Sequence, residues 1–304
     1  MKERPLTHYA KISVAAAVVT FTLKLVAWRV TGSVGLLSDA LESLVNLAAA
    51  FVALGSLAVA AMPEDENHAF GHSKAEYFAA GIEGALILVA AALIGWTAVD
   101  RFFSPQPLRE PLAGVAISIV ASLVNLGVAR VLLGVGRRRK SIALEADAKH
   151  LMTDVWTSAA VIVGVVLVAF TGWLWLDPLI GVLLAIRIVT TGVPLVRESM
   201  LGLMDTGLPA PELAIIRDTL AKYAAEGVQY HALRTRRAAA RQFMSVHLLM
   251  PGTWTIARGH DLAERLEGDL RKAVPGLNVL THLEPDDDPA SWKDVDLERN
   301  DSPG

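Results

Sequence analysis

Six long apolar segments dominate this chain and restrict it to a helical membrane architecture. They run Ile12–Val30, Leu36–Met62, Tyr77–Val99, Leu112–Leu133, Leu151–Phe170 and Pro178–Val196, and about 20 apolar residues let a helix cross the hydrocarbon core. Residues 43–63, 111–129 and 155–176 carry no charged side chain, whereas Lys24, Glu83 and Arg187 interrupt the first, third and sixth segments. The first segment does not read as a signal peptide, because it lacks a small-residue cleavage site and further spans follow it. An even number of spans places both termini on one side.

Lys and Arg in the short flanks set the orientation. Lys2, Arg4, Lys11, Lys74, Arg137, Arg138, Arg139 and Lys140 fall on one side, and only Arg29, Arg101 and Arg109 on the other. This predicts a multi-pass protein of the inner (cytoplasmic) membrane with both termini in the cytoplasm, together with the connection bearing His68 and His72. Of 304 residues, 53% are hydrophobic and 19% charged, against about 25% charged in soluble domains. A net charge of -3 without an extended basic patch argues against nucleic-acid binding. With no cysteine in the chain, disulfides, thiolate metal knuckles and thiol nucleophiles are excluded, leaving His, Asp, Glu and Asn for metal chemistry.

After Asp205 the pattern changes. Glu212–Glu226 reads as an amphipathic helix, with Leu213, Ile216 and Leu220 at helical spacing. His231–Arg237, Gln242–Met250 and Leu277–Leu283 read as strands, and Ile256–Ala273 as a second helix closed by Pro275-Gly276. In the middle strand, alternation sets Met244, Val246, Leu248 and Met250 against Phe243, Ser245, His247 and Leu249. The order αββαβ suits two helices on one face of a three-stranded sheet. The expected fold is therefore a polytopic α-helical membrane protein with six transmembrane helices and a C-terminal cytoplasmic α+β domain of ferredoxin/metallochaperone-like type. Its divisions are a six-helix transmembrane domain over 1–205, the cytoplasmic domain over 206–286, and a tail over 287–304 rich in Asp, Pro and Ser that reads as disordered.

Seven of the eight histidines fall into three groups that also contain acids. In the first, Glu42 and Asn46 lie four apart on the second span, and His150 and Asp154 four apart at the start of the fifth. Each pair projects from one helix face. Ionisable groups inside a membrane are costly and mark ion paths or proton relays; the competing reading is interhelical hydrogen-bond glue, which does not need two carboxylates and an imidazole. The second group is Asp65, His68 and His72, whose spacing suits one metal on a folded loop and equally a solvated loop. The third is His231, His247, His260, His282 and Glu284, with His247 in mid-strand and His282 near a strand end. Lys24 reads as a snorkelling side chain, and Asp39 as a helper of the Glu42 group or a helix cap.

Together these residues resemble the cation diffusion facilitator family, in particular its bacterial ferrous-iron and zinc efflux type. The resemblance spans about residues 8–286. It rests on SVGLLSDALESLVN, HAFGHSKAEY, EADAKHLMTDVWTS, LDPLIG, GLMD, HALRTR, VHLLMP and THLEP, in that order. It implies a homodimer of six-span protomers, embedded in lipid, that exchanges a cytoplasmic divalent metal for protons and is not an enzyme. By position it implies a transport site of Glu42, Asn46, His150 and Asp154, with His150 and Asp154 coupling protons. It further implies a loop metal site of Asp65, His68 and His72, a C-terminal metal site of His231, His247, His260, His282 and Glu284, and an interprotomer charge pair of Lys74 and Asp205. The chain departs from the family in the second span, where relatives carry Asp or His followed by Asp in place of Glu42 and Asn46.

With Asn46 neutral, two carboxylates just balance a divalent ion, and neutral complexes are the cheaper ones in low dielectric. His150 must be deprotonated to ligate, so metal entry releases a proton. The imidazole favours Zn2+ or Fe2+, with Co2+ and Ni2+ next, while the oxygen ligands also suit Mn2+. The sequence contains neither HExxH nor GxxxxGK[ST], which argues against a metalloprotease and against a nucleotide-driven pump. A membrane metal sensor that binds without transporting is the other alternative.

Overall fold

The computed structural model describes the backbone of residues 6–139 and 142–293. Lys2, Arg4 and Lys140 of the orientation count, and residues 294–304 of the expected tail, lie outside the described residues. Each apolar segment forms one helix: α1 (Leu6–Thr31), α2 (Val34–Ala60), α3 (Ala75–Phe103), α4 (Pro111–Arg139), α5 (Ile142–Thr171) and α6 (Leu176–Leu203). All six are long and apolar enough to cross a membrane. Apart from α2, which ends at Ala60 ahead of Met62, they extend beyond the apolar windows at both ends, because a nucleated helix propagates through polar residues, gaining one hydrogen bond for each residue added.

The chain condenses into two units. One is drawn from residues up to Gly55 and from Ala79–Arg197, the other from Ser56–Phe78 and from Glu198 onward. Compaction thus groups the connection after α2 with the C-terminal sheet, a division that chain order alone does not suggest.

In the first unit, Ala27 of α1, Leu36 of α2, Val115 of α4, and Val161 and Val165 of α5 form one buried apolar cluster. Ala129, Leu132, Leu144, Ala148 and Leu151 form another between α4 and α5. Helices α3 and α6 approach closely through Gly84 and Gly192. A Cβ on Gly84 would lie 2.7 Å from a Val196 methyl, and one on Gly192 2.7 Å from Ile87, so small residues set the spacing as is usual within membranes. The start of α2 is held from α6. Asp177 is buried and accepts from Val34 N at 2.8 Å, Gly35 N at 3.3 Å and the Ser33 hydroxyl, satisfying helix-terminal amides that would otherwise lack partners. Nearby, Arg101 donates to Gly32 O at 2.7 Å and Arg109 N to Thr31 O at 3.0 Å. The α1–α2, α3–α4 and α5–α6 connections therefore meet at one end of the bundle.

In the second unit, α7 (Ala210–Lys222), β1 (Gln229–Ala238), β2 (Arg241–Met250), α8 (Ile256–Ala273) and β3 (Leu277–Pro285) follow in the order αββαβ. The sheet order is β1-β2-β3, with β1 and β2 antiparallel and β2 and β3 parallel. Helix α7 stops four residues before the expected Glu226, in a 3-10 turn over Tyr223–Glu226 closed by Gly227 at φ 81. Met244, Val246, Leu248 and Met250 bury against Ile216 and Leu220 of α7 and Leu262, Leu266 and Leu270 of α8, as the strand alternation requires. Thr255 caps α8, accepting from Arg258 N at 3.3 Å. Part of the stretch expected to be disordered is folded instead: Pro289–Trp292 forms a 3-10 turn, Ser291 is buried, and its hydroxyl donates to Pro285 O at 2.8 Å.

Candidate functional site

A cavity of about 250 Å³ lies among α1, α2 and α5, in the half of the bundle where α1 and α5 begin. Helical spacing presents Ser13, Ala17 and Thr20 from α1, Ser43, Asn46 and Ala50 from α2, and Asp147, His150 and Asp154 from α5. Three of the four expected transport ligands, Asn46, His150 and Asp154, therefore line one space. Asn46 and Asp154 face the same space from α2 and α5. Glu42 is absent from the lining, although it lies within electrostatic reach of Asp154, Asp39, Lys24 and Arg187. His150 is exposed on the surface of the chain and Asp154 buried, so the set grades from the surface of the bundle toward its interior.

Lys24 does not snorkel. It is 2% exposed and donates to Asp39 Oδ1 at 2.8 Å and Ser43 Oγ at 2.9 Å, while Ser158 Oγ donates to the same Asp39 oxygen at 2.9 Å. An unpaired ammonium at this depth would be far costlier than an ion pair with hydrogen bonds. Asp39 consequently does not cap α2; Asp177 does. Arg187 is exposed on α6 and donates to Thr157 Oγ1 on α5 at 2.9 Å.

Two tighter clusters lie in the second unit. Asp65, His68 and His72 bring their ligand atoms within 4.8 Å of one another. Asp65 Oδ1 lies 3.0 Å from His68 Nδ1, and Asp65 Oδ2 3.4 Å from His72 Nε2. Desolvation pushes the Asp65 carboxyl up, but hydrogen bonds from the His68 ring and from the His68 and Asn67 amides leave it below its ordinary value. His72 Nδ1 is buried and has no hydrogen-bond partner among the described residues, a donor atom that fits a metal.

The other cluster follows from sheet register. His231 pairs with His247 across β1 and β2, and His247 with His282 across β2 and β3, which sets three imidazoles in one row on one sheet face. Glu284, two residues along β3 from His282, faces the same way. Its carboxylate lies 2.9 Å from His231 Nε2, 3.2 Å from His247 Nδ1 and 3.4 Å from His282 Nε2. A bulge between His231 and Arg234, with Ala232 at φ 47, shifts the register beside His231. The Trp292 ring stands edge-on to His231 with centroids 5.8 Å apart. The ligand atoms of His231, His247 and Glu284 all lie within 4.8 Å of one another, whereas His282, 64% exposed at the edge of the row, and His260, exposed on α8, both expected with this group, stand outside that set.

Lys74 and Asp205 pair with each other within one chain at 2.8 Å, and Arg236 adds a second contact to Asp205 at 3.3 Å. The Lys74 hydrogen bond is the main cause holding the Asp205 carboxyl below its ordinary value. Arg236 also stacks on Phe70 and Phe243, and Arg241 bonds Glu64. Sequence reasoning missed Asp177, Ser158 and Trp292 as participants. The LDPLIG motif contained the first, whereas no local pattern marks the other two.

A six-span helical bundle with ionisable groups inside its apolar half, joined to an αββαβ domain bearing a His and Glu cluster, defines an integral membrane protein that handles metal cations. The cation efflux transmembrane domain matches residues 10–204, and the cytoplasmic domain of cation efflux proteins matches residues 208–286. The chain belongs to the cation diffusion facilitator family of cation efflux transporters. It is 50% identical over 296 residues to the uncharacterized transporter sll1263 of Synechocystis sp. (strain ATCC 27184 / PCC 6803 / Kazusa), covering 97% of this chain and 96% of that one. It is 32% identical over 277 residues to the cation-efflux pump FieF of Serratia proteamaculans (strain 568), covering 91% of each. A solved CzrB structure covers 26% of this chain and 98% of its own at 38% identity, with a TM-score of 0.25; a likeness at that score carries no structural weight.

Proposed function

We propose that this protein is a divalent metal cation/proton antiporter that exports Zn2+ or Fe2+ from the cytoplasm by alternating access, as a homodimer with both termini cytoplasmic. The observation that carries the reading is the cavity lined by Asn46, His150 and Asp154 between α1, α2 and α5. Glu42 completes the ligand set by a small movement of α2.

The charges are suited to exchange. Lys24 offsets Asp39 in a buried pair, so Glu42 and Asp154 remain to balance a divalent ion. Because a ligating imidazole must be neutral, the ion displaces a proton from protonated His150, and a proton arriving from the far side displaces the ion. His150 stands at the outer end of the cavity and exchanges that proton, while Asp154 holds the buried end. The cargo is substrate at this site. The loop cluster of Asp65, His68 and His72 and the sheet cluster of His231, His247, His282 and Glu284 hold further ions that stabilise or sense, since neither lies among the cavity-lining residues.

The amide oxygen of Asn46 in the cavity favours a second reading, a Mn2+ exporter, because oxygen-rich sets suit the harder ion. His150→Ala is expected to abolish proton-coupled metal flux in proteoliposomes while leaving metal binding to the sheet cluster intact. Flux that still follows an imposed proton gradient in this variant would remove His150 from the mechanism.

A further inference from the structure

The transport cavity ends against a buried polar layer, and that layer ends against an apolar one. Thr20, Ser43 and Asp154 line the cavity on α1, α2 and α5. One helical turn toward the end where the three connections meet, on the same helix faces, stand Lys24, Asp39 and Ser158. These are the residues joined by the 2.8 Å ion pair and the 2.9 Å hydrogen bond from Ser158. Ser43, which belongs to the cavity wall, also accepts from Lys24 at 2.9 Å. Three residues further along each helix come Ala27, Leu36 and Val161, which cluster with Val115 of α4. Ser118 lies three residues inward of Val115, level with the polar layer by the same spacing.

We infer that Lys24, Asp39 and Ser158 form the gate that closes the transport cavity on the side of the α1–α2 turn, with the Ala27, Leu36, Val115 and Val161 layer as its seal. The inference rests on the transport reading. Three helices that must separate for an ion to leave on that side are tied through one carboxylate oxygen, Asp39 Oδ1. Its second oxygen, Oδ2, is buried and has no hydrogen-bond partner among the described residues, as is true of the hydroxyls of Ser38 and Ser118. The tie is made of one ion pair and two hydrogen bonds, contacts that can break and re-form as the helices part without remaking a packed apolar core. Lys24 and Asp39 act as positioning residues: they set which side of the site is open, and the ion is held by the cavity ligands.

The natural chain contains no cysteine, which allows a clean test. A single Ser118→Cys thiol in the full chain, reconstituted in nanodiscs, is exposed to a charged methanethiosulfonate reagent. With the gate intact the thiol is labelled slowly. Adding Asp39→Asn is expected to accelerate labelling by about tenfold or more, as a shift in the open population would. The exchanged pair Lys24→Asp with Asp39→Lys returns it toward the slow rate. Should Asp39→Asn not fold, Ser158→Ala, which removes one hydrogen bond from Asp39, gives the same test with a smaller rise. Labelling that stays at the starting rate in these variants, or that is equally fast in the exchanged pair, overturns the gate. Metal flux by the unmodified chain is measured in parallel. Its absence would sink the transport reading, whereas flux with unchanged labelling would sink only the gate.

Discussion

Glu284 is the residue on which the sheet cluster converges, and Glu284→Gln tests whether that cluster is a metal site. Its two oxygens face His231, His247 and His282 at 2.9, 3.2 and 3.4 Å, and its side chain is only 7% exposed. Zinc bound by four ligands in structural sites is worth about 10–16 kcal/mol, so one ligand of four carries about 3 kcal/mol, or about 150-fold in Kd. Gln keeps the shape and one oxygen but removes the charge that draws the three rings together. Titration of the full chain in detergent with Zn2+ against a chromophoric chelator should therefore show the sheet site weakened by about 100-fold. The loop site, centred on Asp65, should titrate as before. A change smaller than about threefold would mean that the Glu284 geometry serves only hydrogen bonding among the imidazoles.

Two further predictions concern the frame around these sites. Lys74 and Arg236 hold the Asp205 carboxyl below its ordinary value of 3.8, and a depressed carboxylate adds stability that is present above its ordinary pKa and lost as pH falls through the lower folded one. Asp205→Asn should therefore lower the thermal midpoint at neutral pH, with the difference closing as the protein is acidified below 3.8; a difference independent of pH contradicts the pairing. Asp177→Ala removes the carboxylate that accepts from Ser33, Val34 and Gly35. It should destabilise the bundle by about 2 kcal/mol, seen as a lower unfolding midpoint by tryptophan fluorescence, and an unchanged midpoint would show that α2 is capped otherwise.

How legible these features were depends on the range of the forces that make them. Helix α8 coincides with the sequence expectation at both ends, because Thr255 and the Pro275-Gly276 pair act within a turn of the ends they set. The row of His231, His247 and His282 needs pairing register across three strands, which alternation along any one strand does not contain. Lys24 illustrates the same limit in the membrane. Its neighbours in sequence suggest a stem reaching for the interface, whereas its partner lies 15 residues away on another helix. The motifs around Asn46, His150 and Asp154 did identify residues that share a cavity. They could not show that Glu42 stands outside its lining, since that depends on the rotation of α2 against α1 and α5.

The central claim is tested most directly by metal uptake into proteoliposomes of the purified full chain, for Zn2+, Fe2+ and Mn2+ in turn, with and without an imposed proton gradient. The account predicts flux of Zn2+ or Fe2+ that rises with the gradient and is accompanied by proton movement in the opposite direction. Tight binding of these ions with no flux under either condition would contradict it and leave a membrane protein that senses metal without moving it.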